Sequence, residues 1–313
     1  MNIPVFDLHC DTANVLAGFD SGEIAGLRKN NAHVDLERAG ELSGYAQCFA
    51  CFTSTAESYN PVDVFERKLA AIHRELAKNS DIIRQAYTAG EIEQNRESGM
   101  MSAILTIEGP AGFGFDPELL EDLYKVGFRI STLGWNENNP LTGSHVTGGG
   151  LTGLGAAYVK EAQRIGMIID VSHISDQGFW DIMDITEAPI IATHSNSRTV
   201  CAVSRNLTDE MFLQICRTGG VTGINLYGAF LGNDPTLDTV CDHIFYYLEL
   251  DPSGKHIAIG ADLDGCDALP RRFNGVQDYP RLAQHLLQRG LNEEIIYDIF
   301  WNNALGVMKR CCI

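Results

Sequence analysis

Short apolar segments alternate with longer amphipathic segments along the chain, and this alternation limits the possible folds more than any other feature. We predict helices in the longer segments because apolar residues recur there at helical spacing, as in Val62–Lys78. We predict eight strands in the short segments: Val5–His9, Tyr45–Phe52, Ser102–Ile107, Arg129–Leu133, Met167–Val171, Ile190–Thr193, Val221–Leu226 and Ile257–Gly260. Eight strands that alternate with helices within 313 residues predict an α/β fold, a (β/α)8 TIM-like barrel, rather than an open sheet.

The organisation of the chain predicts a single domain over residues 1–313. No shift in composition, no linker rich in proline or serine and no internal repeat divides the sequence. Two long glycine-containing segments follow predicted strands, namely residues 11–45, with Gly22 and Gly26, and residues 138–155. Loops that follow strands lie on the active-site face of such a barrel, so we expect both segments to line or cover a pocket.

The charge of the chain excludes two classes of partner. It carries 23 Lys and Arg against 41 Asp and Glu, a formal net charge of −18, without a cluster of basic residues. Nucleic acids and anionic membrane surfaces both require such a cluster, so we expect a small-molecule substrate. No apolar run of about 18 residues predicts a transmembrane helix, and the first residues do not resemble a signal peptide, which favours a cytoplasmic location.

Side chains that can bind a metal stand at the carboxyl ends of four predicted strands. In a (β/α)8 barrel these ends converge on the active site. His9 and Asp11 follow the first strand, where the alternation of an extended backbone points both side chains the same way. Glu108 follows the third strand, and His173 and His194 follow the fifth and sixth. Imidazole and carboxylate groups suit a divalent metal such as zinc, and their convergence predicts a site for two ions with Glu108 as the bridge.

Asp262 follows the last predicted strand and belongs to the same face of the barrel. We predict that it transfers protons as a general acid or base, beside two metal ions that activate water and polarise a carbonyl or phosphoryl oxygen. Each of these residues alone has an ordinary explanation, because strands often end in polar turn residues. Their joint convergence favours the metal site. His145, in the second glycine-rich segment, is a further candidate for the pocket.

Six motifs, taken together and in order, resemble the renal (membrane) dipeptidase family, which is metallopeptidase family M19 of the amidohydrolase superfamily. The motifs are Asp7-Leu8-His9-Cys10-Asp11, Glu108-Gly109, Asp170-Val171-Ser172-His173, Thr193-His194-Ser195-Asn196, Ser204-Arg205-Asn206 and Gly260-Ala261-Asp262-Leu263-Asp264-Gly265. The resemblance extends from residue 5 to about residue 307. It implies a distorted (β/α)8 barrel of the metallo-dependent hydrolase type, with extended loops after the strands, and a homodimer as a common assembly.

The resemblance also implies which residues hold two zinc ions. One ion would be bound by His9, Asp11 and Glu108, and the other by Glu108, His173 and His194. A water or hydroxide between the two ions would then attack the carbonyl carbon of a peptide bond.

Three further roles follow from the same resemblance. Asp262 would give a proton to the leaving amine, and Tyr227 would line the substrate pocket. Arg205 would bind the terminal carboxylate of the substrate, which its planar guanidinium can meet with two hydrogen bonds. The implied substrates are dipeptides, including those with a D-residue at the C-terminal position.

One position departs from the family pattern. After the fourth strand the dipeptidases usually carry a histidine that contacts the scissile carbonyl, whereas this chain has Trp135. An indole offers one N–H donor and no acceptor, and the loss of an oxyanion donor typically lowers the rate by a factor on the order of 10²–10³. Three explanations are open: Trp135 donates the hydrogen bond itself, His145 reaches the site, or the substrate is not an ordinary dipeptide.

The sequence therefore favours a dinuclear zinc dipeptidase and leaves two alternatives. The first is a related metal-dependent amidohydrolase that acts on N-acyl amino acids or lactones, because Trp135 replaces the histidine. The second is a non-catalytic metal-binding barrel. This second alternative would lack a metal ligand or Asp262, and the chain lacks neither.

Overall fold

A computed structural model describes residues 1–19, 26–56 and 58–312. Its strands are β1 (Val5–Cys10), β2 (Tyr45–Phe52), β3 (Ile83–Gln85), β4 (Met101–Glu108), β5 (Phe128–Thr132), β6 (Ile168–Asp170), β7 (Ile190–Ile191), β8 (Thr222–Ile224) and β9 (Ile257–Ile259). Its α-helices are α1 (Thr12–Ala17), α2 (Leu36–Ala39), α3 (Pro61–Lys78), α4 (Ala89–Glu97), α5 (Leu120–Val126), α6 (Gly153–Arg164), α7 (Asp176–Ile185), α8 (Asp209–Thr218), α9 (Gly228–Leu231), α10 (Leu237–Leu250), α11 (Tyr279–Gln288), α12 (Glu293–Tyr297) and α13 (Asn303–Cys311). None of the helices within the described residues has the length and apolar character needed to cross a membrane.

Eight of the described strands form a nearly closed barrel. Neighbouring strands are parallel, in the order β7-β6-β5-β4-β2-β1-β9-β8, and β3 adds to β4 outside this path. The two ends of the sheet meet beyond β7. There the amide of Ala192 donates to the carbonyl of Val221 at 3.0 Å, and its carbonyl accepts from the amide of Gly223 at 2.8 Å. The predicted α/β fold, a (β/α)8 TIM-like barrel, is confirmed.

Residues along the strands pack alternately into two apolar clusters. On β1, Val5 belongs to the cluster between the strands and the surrounding helices, whereas Phe6 and Leu8 belong to a second cluster that includes Trp301. The ring centroids of Phe6 and Trp301 are 6.0 Å apart. Strands that are buried on both faces favour the nearly continuous apolar runs seen in the sequence. Since Trp301 and α13 pack at the amino ends of the strands, the carboxyl ends are left for an active site.

The prediction missed one strand and several helices, and it misjudged the length of other elements. The missed elements are β3, α1, α2, α4, α9 and α13. The observed β6, β7 and β8 are shorter than the predicted strands, because the backbone leaves the sheet where it carries the polar residues of the barrel end. Near the end of the described chain, α12 is followed by a π-helical turn at Asp298–Asn302, and α13 then continues the chain.

The segment that follows β1 is fastened to the end of β9 by His33 and Asp264. The amide of Asp264 donates to Nδ1 of His33 at 3.0 Å, and Oδ1 of Asp264 accepts from the amide of His33 at 2.5 Å. Oδ2 of Asp264 accepts from the hydroxyl of Thr12 at 2.6 Å. These contacts hold the described part of the segment 11–45 beside the carboxyl end of the barrel. Residues 20–25 of that segment, including Gly22, lie outside the described residues.

Candidate metal centre and active site

Six buried polar residues converge at the carboxyl end of the barrel: His9, Asp11, Glu108, His173, His194 and Asp262. Each one is among the last two residues of a strand or follows a strand within a few residues, and the strands are β1, β4, β6, β7 and β9. None of the six is more than 9% exposed. Buried imidazole and carboxylate groups in such number need compensation by hydrogen bonds, by opposite charge or by a metal ion.

The two carboxylate oxygens of Glu108 face different groups. Oε2 lies 3.4 Å from Nε2 of His9, and this nitrogen lies 3.3 Å from Oδ2 of Asp11. Oε1 lies 3.1 Å from Nε2 of His173 and 3.9 Å from Nε2 of His194. One oxygen thus faces His9, which also lies beside Asp11, and the other faces the pair of His173 and His194. This division fits a carboxylate that bridges two ions.

Hydrogen-bond partners define the tautomers of His173 and His194. Nδ1 of His173 lies 2.9 Å from Oδ1 of Asn136, and because an amide oxygen only accepts, this nitrogen carries the proton. The hydroxyl of Thr193 donates its proton to the carboxylate of Asp170. The same hydroxyl oxygen lies 2.6 Å from Nδ1 of His194 and can only accept there, so Nδ1 of His194 carries a proton as well. The lone pairs on the two Nε2 atoms therefore face each other at 3.0 Å. They repel at that distance, and a cation beside both nitrogens would remove the repulsion.

The donor atoms at this end of the barrel fit a divalent metal. Within the described residues, the ligand atoms of His9, Glu108 and His194 lie within 4.8 Å of one another, and so do those of His9, Asp11 and Asp262. Oδ1 of Asp11 is buried, and it has no hydrogen-bond partner in the part of the chain that the structure describes. Imidazole nitrogens and carboxylate oxygens are ligands of zinc and related transition metals.

The backbone adopts an unusual conformation at His173 and Asp262. Their φ angles are +68° and +61°, in a region that few non-glycine residues occupy. Asp170 supports the first of these turns, because its carboxylate accepts from the amides of Ser172 at 2.8 Å and Thr193 at 2.9 Å. A single buried carboxylate thus links the ends of β6 and β7. The sequence interpretation gave Asp170 no role, although its position just before the histidine of its motif was the available signal.

Asn136 links His173 to His145, and the sequence interpretation missed this role as well. Oδ1 of Asn136 accepts from Nδ1 of His173 and from Nε2 of His145, both at 2.9 Å. Nδ1 of His145 then accepts from the hydroxyl of Ser204 at 3.0 Å. Burial, assisted by the charge of Arg205, lowers the pKa of His145 to about 4, so the ring is neutral near pH 7, as this pattern requires. His145 therefore contacts the cluster through Asn136.

Asn225 orients the carboxyl group of Asp262. Nδ2 of Asn225 donates to Oδ2 of Asp262 at 3.1 Å, while Oδ1 of Asp262 lies 3.9 Å from Nε2 of His9. Burial raises the pKa of Asp262 to about 7, and the carboxylates of Asp11 and Glu108 act in the same direction. A carboxyl group with such a pKa can take up and release a proton near neutral pH.

The histidines of the cluster differ in their affinity for protons. Burial lowers the pKa of His173 and of His194 well below the usual range. Burial also lowers the pKa of His9, but the carboxylates of Glu108 and Asp11 outweigh it and hold that pKa well above the usual range. A metal ion between these carboxylates would therefore displace a proton from His9.

A cavity of about 460 Å³ opens beside the cluster. Four aromatic side chains line it: Phe52, Trp135, Tyr227 and Phe230. Trp135 packs edge-on against Phe52 at a centroid distance of 5.1 Å, and its centroid is 6.4 Å from that of His173. Tyr227 packs edge-on against Phe230 at 4.8 Å. The structure thus places Trp135 and Tyr227 at the cavity, and Asn14, from the segment after β1, lines it as well.

Arg205 is buried beside this cavity and has unused donors. Its Nη1 donates to the hydroxyl of Ser195 at 2.7 Å. Its Nε and Nη2 are buried and have no hydrogen-bond partner among the residues described. The guanidinium carbon lies 5.7 Å from the ring centroid of Phe230, which lines the cavity. Burial lowers the pKa of Arg205 to about 10, so the group is still charged near pH 7. A buried cation with free donors favours an anionic ligand.

A comparison with family models decides the classification. The model described as membrane dipeptidase, peptidase family M19, matches residues 1–311. The chain belongs to this family. The predicted family and the predicted enzyme class, a metallo-dipeptidase, are confirmed, and membership together with the clustered donor atoms supports a metal cofactor.

The chain is similar over most of its length to individual relatives and to a solved structure. A protein of Klebsiella pneumoniae named for the 5′ region of pqqA is 33% identical over 265 residues, which are 80% of this chain and 97% of that protein. The dipeptidase verJ of Clonostachys rogersoniana is 30% identical over 327 residues, which are 98% of this chain and 84% of that protein. The crystal structure of dipeptidase AC, an M19 metallopeptidase, matches with a TM-score of 0.88 at 25% identity, and covers 100% of this chain and 99% of that one.

Proposed function

We propose that this M19 protein hydrolyses dipeptides with two zinc ions per chain, bridged by Glu108. The observation that carries the proposal is the division of the Glu108 carboxylate, whose oxygens lie 3.4 Å from His9 and 3.1 Å from His173. His9 and Asp11 would hold one ion together with Glu108, and His173 and His194 would hold the other. The bound ions would supply Lewis acidity and an activated water for attack on the scissile carbonyl.

Asp262 is the group that we propose to move the proton. It is held by Asn225 at 3.1 Å and lies at the edge of the cavity. From this position its carboxyl group can accept a proton from the attacking water and give one to the leaving amine. The leaving group of a peptide bond needs this proton because an amine departs far more readily than an amide anion.

Arg205 supports a substrate with a free carboxylate at its C-terminal end. Its two unused donors and its charge match a carboxylate, and Ser195 fixes the remaining arm of the guanidinium at 2.7 Å. The cavity of about 460 Å³ is within the range of small-molecule pockets and suits a ligand of dipeptide size. We include dipeptides with a D-residue at the C-terminal position among the substrates.

Trp135 favours a second candidate function, the hydrolysis of an N-acyl amino acid or a lactone. It takes the position where the family carries a histidine, and its indole can offer a single N–H to a developing oxyanion. At the position of Trp135, an N-acyl amino acid or a lactone would need different hydrogen-bond partners than a dipeptide with a free amino group. Both would use the same metal ligands and the same Asp262, so the two candidates differ in substrate and share a centre.

The proposal is tested with a panel of L-L and L-D dipeptides, N-acyl amino acids and lactones, and with zinc measured on the same samples. We expect two zinc ions at the active site per chain and rapid turnover of dipeptides. In Asp262→Asn we expect turnover to fall by a factor on the order of 10²–10⁴. Asp122→Asn, a substitution on exposed α5, is the control and should retain activity.

Each alternative result has a definite meaning. Zinc without dipeptide turnover, but with turnover of an N-acyl amino acid or a lactone, would retain the centre and replace the substrate. Zinc without turnover of any of these compounds would favour the non-catalytic barrel. Absence of bound metal after zinc is supplied would overturn the proposal altogether.

A further inference from the structure

We propose a separate metal site formed by Cys216, Asp251 and His256, which binds zinc or a chemically similar divalent transition metal. The thiol, a carboxylate oxygen and an imidazole nitrogen of these residues lie within 4.8 Å of one another. Cys216 is in the last turn of α8, Asp251 directly follows α10, and His256 directly precedes β9. The site is thus at the amino end of the barrel, whereas the candidate active site is at the carboxyl end.

The tautomer of His256 prepares its ring for a metal. Nδ1 of His256 lies 2.7 Å from the carbonyl oxygen of Gly220. Since a carbonyl oxygen only accepts, Nδ1 carries the proton and Nε2 keeps the lone pair that a metal needs. Histidines that bind metals usually donate their other nitrogen to a carbonyl or carboxylate in this way, which fixes the ring.

Asp251 and Cys216 form a pair that a cation would stabilise. Both oxygens of Asp251 are oriented by Ser253, whose amide donates to Oδ1 at 3.2 Å and whose hydroxyl donates to Oδ2 at 2.9 Å. A divalent cation between the carboxylate and the sulfur would bind the thiolate form of Cys216, so its binding would release the thiol proton.

The backbone around the site is held independently of any metal. Nδ2 of Asn303, in α13, donates to the carbonyl oxygens of Gly254 and Ile257, both at 2.7 Å. The amide of Thr222, in β8, donates to the carbonyl oxygen of His256 at 2.8 Å. The loop from Asp251 to His256 is therefore held in place by α13 and β8. A loop that is already ordered loses little conformational entropy when its side chains bind a metal.

The ligand types indicate the metal. Sulfur, imidazole and carboxylate donors together select zinc or cobalt over magnesium and calcium, which prefer oxygen ligands alone. Three protein ligands leave the fourth position of a tetrahedral ion to water. An ion at this place would connect α8, α10 and β9, so it would act on the stability of the barrel, not on the catalytic groups.

Cobalt provides a direct test, because a cobalt–thiolate bond gives a charge-transfer band in the near ultraviolet. All ligands proposed for the active site are nitrogen or oxygen, so this band reports only on a cysteine. The full-length protein is loaded with Co²⁺, and its zinc content is measured in parallel samples. We expect the band in the wild-type protein and its loss in Cys216→Ser, with a decrease of one zinc equivalent per chain.

Cys201→Ser is the matched control for this substitution. Cys201 is a free and half-buried cysteine like Cys216, and it belongs to none of the metal-binding groups found among the described residues. The band and the zinc content should both be retained in this variant. Asp251→Asn keeps the thiol but removes a charge from the site, so it should weaken cobalt binding without a cysteine substitution.

The wild-type spectrum alone can overturn the proposal. If saturating Co²⁺ produces no thiolate band in the wild-type protein, the site does not bind metal, whatever the variants do. A band that persists in Cys216→Ser would assign it to another cysteine and reject this site. Neither result depends on dipeptide turnover, so failure of this proposal is distinguishable from failure of the proposed function.

Discussion

Asn136 accepts hydrogen bonds from two imidazoles and thereby sets which nitrogen of His173 is free. Both bonds are 2.9 Å long, one from Nδ1 of His173 and one from Nε2 of His145. Without this acceptor, the proton of His173 could move to Nε2, the nitrogen that faces His194 at 3.0 Å. An amide outside the ligand set therefore controls the state of the ligand.

Replacement of Asn136 should weaken metal binding. In Asn136→Ala we expect zinc affinity at the His173 side to fall by about 10–100-fold, as is typical when the partner of a metal-binding histidine is lost. Competition with a zinc chelator measures this. Asn138→Ala is the control, because its side chain is exposed and accepts from Thr147. Equal zinc affinities in the two variants would show that Asn136 has no role in positioning His173.

Arg205 should determine the preference for a free carboxylate. The wild-type enzyme is expected to prefer a dipeptide over the corresponding dipeptide amide, and Arg205→Met should reduce this preference by about 10–100-fold, the value of hydrogen bonds to a charged group. The ratio of kcat/KM for the two substrates measures it. A preference that survives in Arg205→Met would assign carboxylate binding to another group.

The sequence predicts candidate residues at or just after the ends of strands, and it does not identify the residues that form hydrogen bonds to them. His9, Glu108 and His194 stand out because each one follows an apolar run. Asn136 and Asp170 stand out less, because their roles depend on partners from other strands, which a linear pattern does not bring together.

The turn after β4 shows how an element places a functional side chain. Glu108 is the last residue of β4, and Gly109 follows it with a φ of +76°. A Cβ atom at Gly109 would lie 2.2 Å from the carbonyl oxygen of Thr53, which follows β2. The turn that carries Glu108 into the cluster thus packs directly against the neighbouring strand, and only glycine fits there.

Gly109→Ala and Gly99→Ala form a matched pair that tests this close contact. Both glycines have similar positive φ angles, +76° and +72°, but nothing lies within 4 Å of a Cβ at Gly99. Each alanine should reduce the free energy of unfolding through its φ angle, and Gly109→Ala should reduce it by about 1–3 kcal/mol more. Urea denaturation measures the difference. Equal losses would mean that the turn can move away from Thr53.

Two of the elements that the prediction missed, β3 and α4, lack the apolar patterns on which sequence-based prediction relies. β3 has three residues at the edge of the sheet, too few for alternation. α4 buries Ile92 as its only large apolar side chain, so no apolar periodicity marks it. Its sole signal was the capping box of Thr88 and Glu91. Long apolar strands such as β2 and β4 were located well because their burial on both faces produces continuous apolar runs.

In the whole molecule, the apolar cluster that stabilises the barrel and the charged candidate active site lie at opposite ends of the strands. The amino end of the barrel is filled by the cluster around Trp301, and its carboxyl end carries buried charges whose ionisation opposes folding in the absence of a metal. The pKa of Asp262 rises from 3.8 to about 7 on folding, and that of His9 is also raised. Both groups therefore bind protons more tightly in the folded protein than in the unfolded chain. The metal-free protein loses stability as the pH rises through the pKa values that these groups have in the folded state.

Zinc should reverse this loss, so its effect on stability should depend on pH. Zinc competes with the protons on His9 and Asp262, so we expect the zinc-induced increase in Tm to be larger at about pH 8 than at about pH 5. Thermal unfolding with and without zinc at both pH values measures it. An increase that is equal at the two pH values, or larger in acid, would contradict the assignment of these groups to the metal centre.

The bridging role of Glu108 is tested most directly by anomalous diffraction at the zinc absorption edge from crystals of the zinc-loaded protein. We expect two peaks at the carboxyl end of the barrel, one beside His9 and Asp11 and one beside His173 and His194, each in contact with a different oxygen of Glu108. A single peak at that end, or two peaks of which only one touches Glu108, would contradict the dinuclear centre.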